Sequence, residues 1–215
     1  MTALVCDPPR LVSQLRTSFC EQVARALDWE LDGTTTSLAV ADHYLSLARD
    51  EVREPILTLL AVGAGAYFGE IVRSTMGALW LSDGQNAHRL RLLLEPQFLH
   101  FAPVDLAFEA IIADTPQPDD PRLAQAVPFD ASFQILRPPS PSEARSGETA
   151  SPDDASWVDT RLSELAPVPQ AQYYSLTGRY ETLELIIELL ATRHQAEGRR
   201  PRAYTLEDYI EALNG

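Results

Sequence analysis

One apolar segment with three glycines constrains the fold more than any other part of the chain. It reads AVGAGAYFGEIV over residues 61–72, and the glycines are Gly63, Gly65 and Gly69. The segment has two interpretations with different functional consequences. It is either the phosphate-binding turn of a dinucleotide fold or the interior of a buried helix that another element approaches closely.

Several features favour the helix. The glycine spacing is one residue longer than the G-x-G-x-x-G fingerprint, and the segment after the last glycine is too short to cross a sheet. Pro55 and Gly77 are typical of a helix start and a helix stop, which predicts one helix of about 21 residues. Ala61, Gly65 and Gly69 would then share one face, where a second helix or a sheet can pack closely.

The remaining pattern predicts an α+β fold in which helices pack on a small antiparallel sheet, with a C-terminal helical portion. Alternation and turn residues predict three strands, ALWLS, HRLRLLLE and FLHFA, with a turn at Asp83-Gly84 between the first two. Apolar residues at helical spacing predict further helices. These helices cover about 8–28, 37–51, 157–165 and 176–197, with one opened by Pro103 and a last one after Thr205.

Proline content indicates the domain organisation. Half of the 16 prolines fall within residues 116–156. We expect an α+β core domain at 1–115, then a proline-rich segment and linker at 116–156 with one strand at 129–136. The C-terminal helices at 157–215 should pack on the core, because the apolar stripe of 176–197 cannot be buried alone. Residues 137–156 have the composition of a flexible linker.

The order of motifs around the glycine segment resembles a group of uncharacterised bacterial domains. Gly65-x-x-x-Gly69-Glu70 is followed by Gly77-x-x-Trp80, by strands and by a helix that opens with proline. The resemblance covers about 55–112. It implies the helical interpretation of Gly65 and Gly69 and implies no catalytic activity.

The charge excludes several function classes. The net charge is −14, and each side of residue 115 carries −7, so no basic face is expected. Nucleic acid and anionic membrane surfaces are therefore poor partners. The one basic cluster is Arg199, Arg200 and Arg202. All 17 basic residues are arginine, which excludes lysine-based Schiff-base and P-loop chemistry.

Motifs for catalysis or metal binding are not recognisable. The histidines are His43, His88, His100 and His194, and no two lie within five residues of each other. The sequence lacks H-E-x-x-H, C-x-x-C and G-x-S-x-G patterns. We therefore predict no catalytic residues, no metal ligands and no cofactor. The N-terminus lacks a basic segment followed by an apolar one, so we expect a cytoplasmic protein.

Two groups of polar and aromatic residues are candidate binding sites. Glu70 and Arg73 lie three residues apart on the predicted helix and can form an ion pair. A candidate pocket consists of Tyr67, Glu70, Arg73, Trp80 and His100. The alternative is a structural ion pair that ties the helix to the sheet.

The second group lies in the segment QYYSLTGRYETLE (172–184), because tyrosine and arginine are favoured at binding hot spots. A candidate partner surface consists of Tyr173, Tyr174, Arg179 and Tyr180. The alternative is a helix start capped by Ser175, with tyrosines at the edge of the core.

The sequence favours a non-catalytic protein-interaction function, such as an adaptor, a regulatory subunit or an immunity-type inhibitor. Its acidic surface would suit a basic protein partner. One alternative is a small-molecule-binding domain with a pocket near Tyr67, Glu70 and Trp80. Another is a metal-independent enzyme that uses carboxylates and arginines.

Overall fold

The computed structural model describes residues 9–49, 55–123, 127–137 and 153–214. The chain has an α+β fold, as predicted, with helices around a four-stranded antiparallel sheet of order β1-β2-β3-β4. The strands are β1 Ala78–Leu81, β2 Arg91–Leu94, β3 Leu99–Phe101 and β4 Gln134–Ile135. The helices are α1 Arg10–Leu27, α2 Leu38–Leu47, α3 Ile56–Val72, α4 Pro103–Ile112, α5 Asp154–Ser163, α6 Gln170–Tyr173, α7 Leu176–Ala196 and α8 Leu206–Asn214.

The glycine segment is the interior of α3, the central helix, so the helical interpretation is confirmed. A Cβ atom added at Gly65 would lie 2.7 Å from the Val104 Cα at the start of α4. One added at Gly69 would lie 2.3 Å from the Trp80 ring of β1. The small residues therefore let α4 and the sheet approach α3 closely, as their spacing predicts.

The α-helical part of α3 ends earlier than predicted. A π-helical turn, Arg73–Gly77, replaces its last residues, and Gly77 has a φ of +79°. The hydroxyls of Ser74 and Thr75 both donate to the Ile71 carbonyl oxygen, at 3.0 and 2.8 Å. Such side-chain hydrogen bonds compete with the regular backbone pattern, and a left-handed glycine then reverses the chain.

Helix α3 and the π-helical turn after it together have the length and apolar composition of a membrane span. Among the described residues, Ile56–Gly77 is the one helical stretch that is long and apolar enough. Its most apolar window is 72% buried inside the protein, as expected for the central helix of a packed core.

All four predicted strands are shorter than expected, and two of them lose four or more residues. The connection from β1 is not a tight Asp83-Gly84 hairpin, because the Asn86 side chain accepts the His88 N–H and forms a 3-10 turn at Ala87–Arg89. Strand β2 therefore begins at Arg91. In the predicted strand 129–136, Asp130 accepts the Ser132 N–H in a local turn, and only Gln134–Ile135 pairs with β3.

The C-terminal helices share the core with the N-terminal half. Asp42 of α2 accepts the N–H groups of Leu176 and Thr177 at 2.7 and 3.0 Å, which satisfies the start of α7. On the far side of the sheet, Tyr209 of α8 packs with Leu93 and Phe98. Helix α5 begins before the predicted residue 157, because Asp153 caps it through the Ser156 N–H. Most of the predicted linker 137–156 lies outside the described residues.

Candidate functional site

The predicted ion pair between Glu70 and Arg73 forms and is tied to the sheet. Glu70 accepts hydrogen bonds from Arg73 Nε at 2.9 Å and Nη2 at 3.1 Å. It also accepts one from the Trp80 indole N–H at 2.6 Å. These bonds occupy the carboxylate and connect α3 to β1, which is the geometry of a structural anchor.

The other two members of the candidate pocket lie elsewhere. The Tyr67 hydroxyl is hydrogen-bonded to the Ser37 hydroxyl and to the Gly33 N–H in the connection between α1 and α2. His100 pairs in register with Leu93, whereas Trp80 is in register with Leu92. Side chains alternate along a strand, so His100 is on the opposite face of the sheet from Trp80. The structure thus brings Glu70, Arg73 and Trp80 together without Tyr67 or His100.

The four residues of the candidate partner surface have different environments. Tyr180 is buried and its hydroxyl donates to Thr75 Oγ1 at 3.1 Å. Arg179 is only 6% exposed. The Tyr174 hydroxyl is hydrogen-bonded to Thr115 Oγ1, 3.0 Å away. Tyr173 is 48% exposed, and its ring centroid is 4.6 Å from the Arg179 guanidinium carbon.

Three of these residues line a large cleft, which we call the α5–α7 cleft. Its volume is about 840 Å³, within the usual range for ligand sites. Its walls are α5, the connection 165–168, the start of α7 and the segment 129–135. The apolar lining includes Phe133, Ile135, Val158, Leu162, Leu165 and Ile186.

A buried ion pair lies on the inner side of the α5–α7 cleft. Arg179 Nη2 donates to Glu109 Oε2, and both side chains are almost fully buried. Burial raises the pKa of the Glu109 carboxyl, while the Arg179 charge opposes that rise. The Arg179 Nε has no hydrogen-bond partner among the described residues. The guanidinium is therefore held by one carboxylate and the tyrosine rings.

One wall of the cleft is fixed by a second buried carboxylate. Asp105 of α4 accepts the Asp130 N–H at 2.9 Å, and burial raises the pKa of Asp105 to about 6. Phe129 and Phe133 pack edge-on against Phe108 and Phe101. These contacts hold the segment 129–135 against α4 and β3.

Sequence reasoning missed Asp105 and Glu109. Both lie on α4, whose sequence PVDLAFEAII is otherwise apolar. A carboxylate is seldom fully buried without a partner, so two acids four residues apart in such a helix are a usable signal.

Comparisons with known proteins give no functional assignment. No protein-family model, curated protein or solved structure matches the chain. The resemblance to the bacterial domains stays a prediction. Within the described residues, no group of three or more histidine, cysteine, aspartate or glutamate side chains is placed to hold a metal ion.

Proposed function

We propose that this protein is a non-catalytic interaction protein that binds a segment of a partner in the α5–α7 cleft. The partner segment combines apolar side chains, which enter the cleft, with basic side chains, which face its acidic rim. The main support for the proposal is that exposed apolar side chains and carboxylates line the same large cleft.

Exposed apolar side chains support an interaction at this cleft. Leu165, Val168 and Tyr173 all line it and are 55%, 50% and 48% exposed. Large side chains that stay exposed around one concave site are typical of surfaces that a partner covers. Burying them with the partner would supply the hydrophobic part of the binding free energy.

The charge of the lining supports a basic partner. Glu109, Asp130 and Asp159 line the cleft, against one arginine, Arg179. Arg179 is already paired with Glu109, so Asp130 and Asp159 remain to attract a cation. The chain as a whole has a net charge of −14, which would speed the approach of a basic partner at low salt.

Affinity capture with matched variants tests the proposal. The tagged full chain is compared with a Leu165→Ser/Val168→Ser variant and with a Trp29→Ser/Leu47→Ser control, which changes two exposed apolar residues outside the cleft lining. We expect a stoichiometric basic partner to bind the wild type and the control. The affinity of the cleft variant should fall at least about tenfold, because less apolar surface is buried on binding. A tenfold loss corresponds to about 1.4 kcal/mol of binding free energy.

Salt dependence is the second part of that experiment. Capture should weaken as the salt concentration rises from about 0.05 to 0.5 M, because exposed charges are then screened. Capture that survives the cleft substitutions unchanged would contradict the proposal, and so would the lack of any stoichiometric partner.

A further inference from the structure

A second cavity lies at the C-terminal end of α7 and shares no lining residue with the α5–α7 cleft. Its volume is about 610 Å³. It is enclosed by the last turns of α7, the residues 199–204 and the turn between β2 and β3. We call it the arginine cavity, because three of the chain's arginines line it.

Backbone hydrogen bonds fix the segment that forms this cavity. Gly198 has a φ of +70°, which reverses the chain after α7. The N–H groups of Glu197, Gly198 and Arg199 bind the last carbonyl oxygens of the helix at 2.8–3.0 Å. The Tyr204 N–H donates to the Glu95 carbonyl oxygen at 2.8 Å, which closes the returning segment onto the β2–β3 turn.

The lining of the arginine cavity is rich in basic side chains, although the whole chain is acidic. Arg199, Arg200, Arg202 and His194 line it, and no carboxylate is among its described lining residues. Arg199 is paired with Asp154 at 3.0 Å and with Glu197 at 2.6 Å, and Arg202 is paired with Asp208. These acids orient two of the guanidinium groups. The Arg200 side chain is exposed and makes no ion pair or hydrogen bond with any described residue.

The Gln97 side chain also lines the arginine cavity. Gln97 is only 6% exposed. The Gln97 carbonyl oxygen on the backbone is hydrogen-bonded to the Leu99 N–H and the Tyr209 hydroxyl. Its side-chain amide makes no hydrogen bond to the described part of the chain. This amide can therefore both donate to and accept from a ligand in the cavity.

We infer that the arginine cavity binds a small anion that carries phosphate or carboxylate groups. Arg200 holds the anionic oxygens, with the oriented guanidinium groups of Arg199 and Arg202 beside it. The Gln97 amide hydrogen-bonds a further oxygen of the ligand. Pro96, Pro201 and Tyr204 supply the apolar contact.

Calorimetric titration of the full chain with pyrophosphate and, separately, with citrate tests the inference. Saturable 1:1 binding is expected for at least one of them, and which one binds identifies the anionic group. Arg200→Gln should weaken that binding at least about tenfold, because it removes a charge-assisted hydrogen bond. Gln97→Met, which keeps the side-chain volume, should weaken it about two- to tenfold.

Control variants make the result specific. Arg25→Gln removes an exposed arginine on α1 and should change the affinity less than about twofold. Leu165→Ser/Val168→Ser should leave anion binding intact, so this inference stands or falls independently of the proposed function. No saturable binding of either anion below about 10 mM would overturn it, as would equal affinities for wild type, Arg200→Gln and Gln97→Met.

Discussion

The two buried carboxylates of α4 are the residues whose environment most departs from what the sequence suggests. Asp105 binds the backbone of the segment 129–135, and Glu109 binds Arg179. Burial raises the pKa of both groups, most clearly for Asp105 at about 6. Arg91 lowers the Asp105 pKa, whereas the charges of Asp130 and Glu109 raise it.

The Asp105 carboxyl makes stability depend on pH with a defined sign. Its pKa is about 6 in the folded chain and 3.8 without burial, so the folded state binds more protons between these values. The contribution of the Asp105 carboxyl to the free energy of unfolding is therefore complete below about pH 4 and is lost as the pH rises through about 6. At pH 7.5 the folded protein carries a buried, partly compensated negative charge.

Asp105→Asn should stabilise the protein at neutral pH. The amide oxygen can still accept the Asp130 N–H, and the buried charge is gone. We expect the free energy of unfolding to rise by about 1–3 kcal/mol at pH 7.5. The gain should shrink towards zero at pH 4. Urea unfolding at both pH values measures this, and an equal loss of stability at both would contradict it.

At the residue scale, short-range pairs were predictable and long-range pairs were not. Glu70 and Arg73 are three residues apart on one helix, so their spacing alone indicates a pair. Arg179 and Glu109 are 70 residues apart. Periodicity indicates which side of a helix is buried, but it carries no information about which carboxylate meets which arginine.

At the element scale, α3 depends on glycines, which are normally unfavourable inside a helix. A Cβ at Gly65 would lie 2.8 Å from the Pro103 carbonyl oxygen as well as close to Val104. Both neighbours are backbone atoms at the start of α4, so no side chain can rotate away. Close packing of α3 on α4 therefore requires glycine at this position.

Gly65→Ala should destabilise the protein although alanine favours a helix. In an isolated helix the change is worth roughly 0.5–1 kcal/mol in favour of alanine. Here we expect a loss of about 1–3 kcal/mol, because the α3–α4 contact must open. Leu59→Ala, at an exposed position of the same helix, should change stability by less than about 0.5 kcal/mol. Urea unfolding distinguishes them, and a stabilised Gly65→Ala would refute this account.

Helix existence was predictable from local signals, whereas several element ends were not. Pro103 marks a start that the structure places at that residue, and α7 ends at Ala196, one residue from the predicted end at 197. The start of β2 follows a turn in which the Asn86 side chain accepts the His88 N–H, and β4 follows a turn in which Asp130 accepts the Ser132 N–H. Propensity and periodicity do not register such single bonds.

At the scale of the whole molecule, the proposed site comes from parts of the chain that are far apart in sequence. The α5–α7 cleft uses α4, the segment 129–135, α5 and α7. The sequence indicated Tyr173, Tyr174 and Arg179 through their composition, and the fold adds the apolar walls and the acids. The cleft itself was not predictable, because it exists only where these elements leave space between them.

Hydrogen–deuterium exchange on the complex with the captured partner shows whether the α5–α7 cleft is the binding site. We expect slower amide exchange on binding at 129–135 and across 158–173, which form the walls of the α5–α7 cleft. Exchange around Trp29 and Leu47 should stay unchanged. Protection confined to the residues around Trp29 or Leu47, with the cleft walls unaffected, would contradict the assignment of the cleft as the binding site.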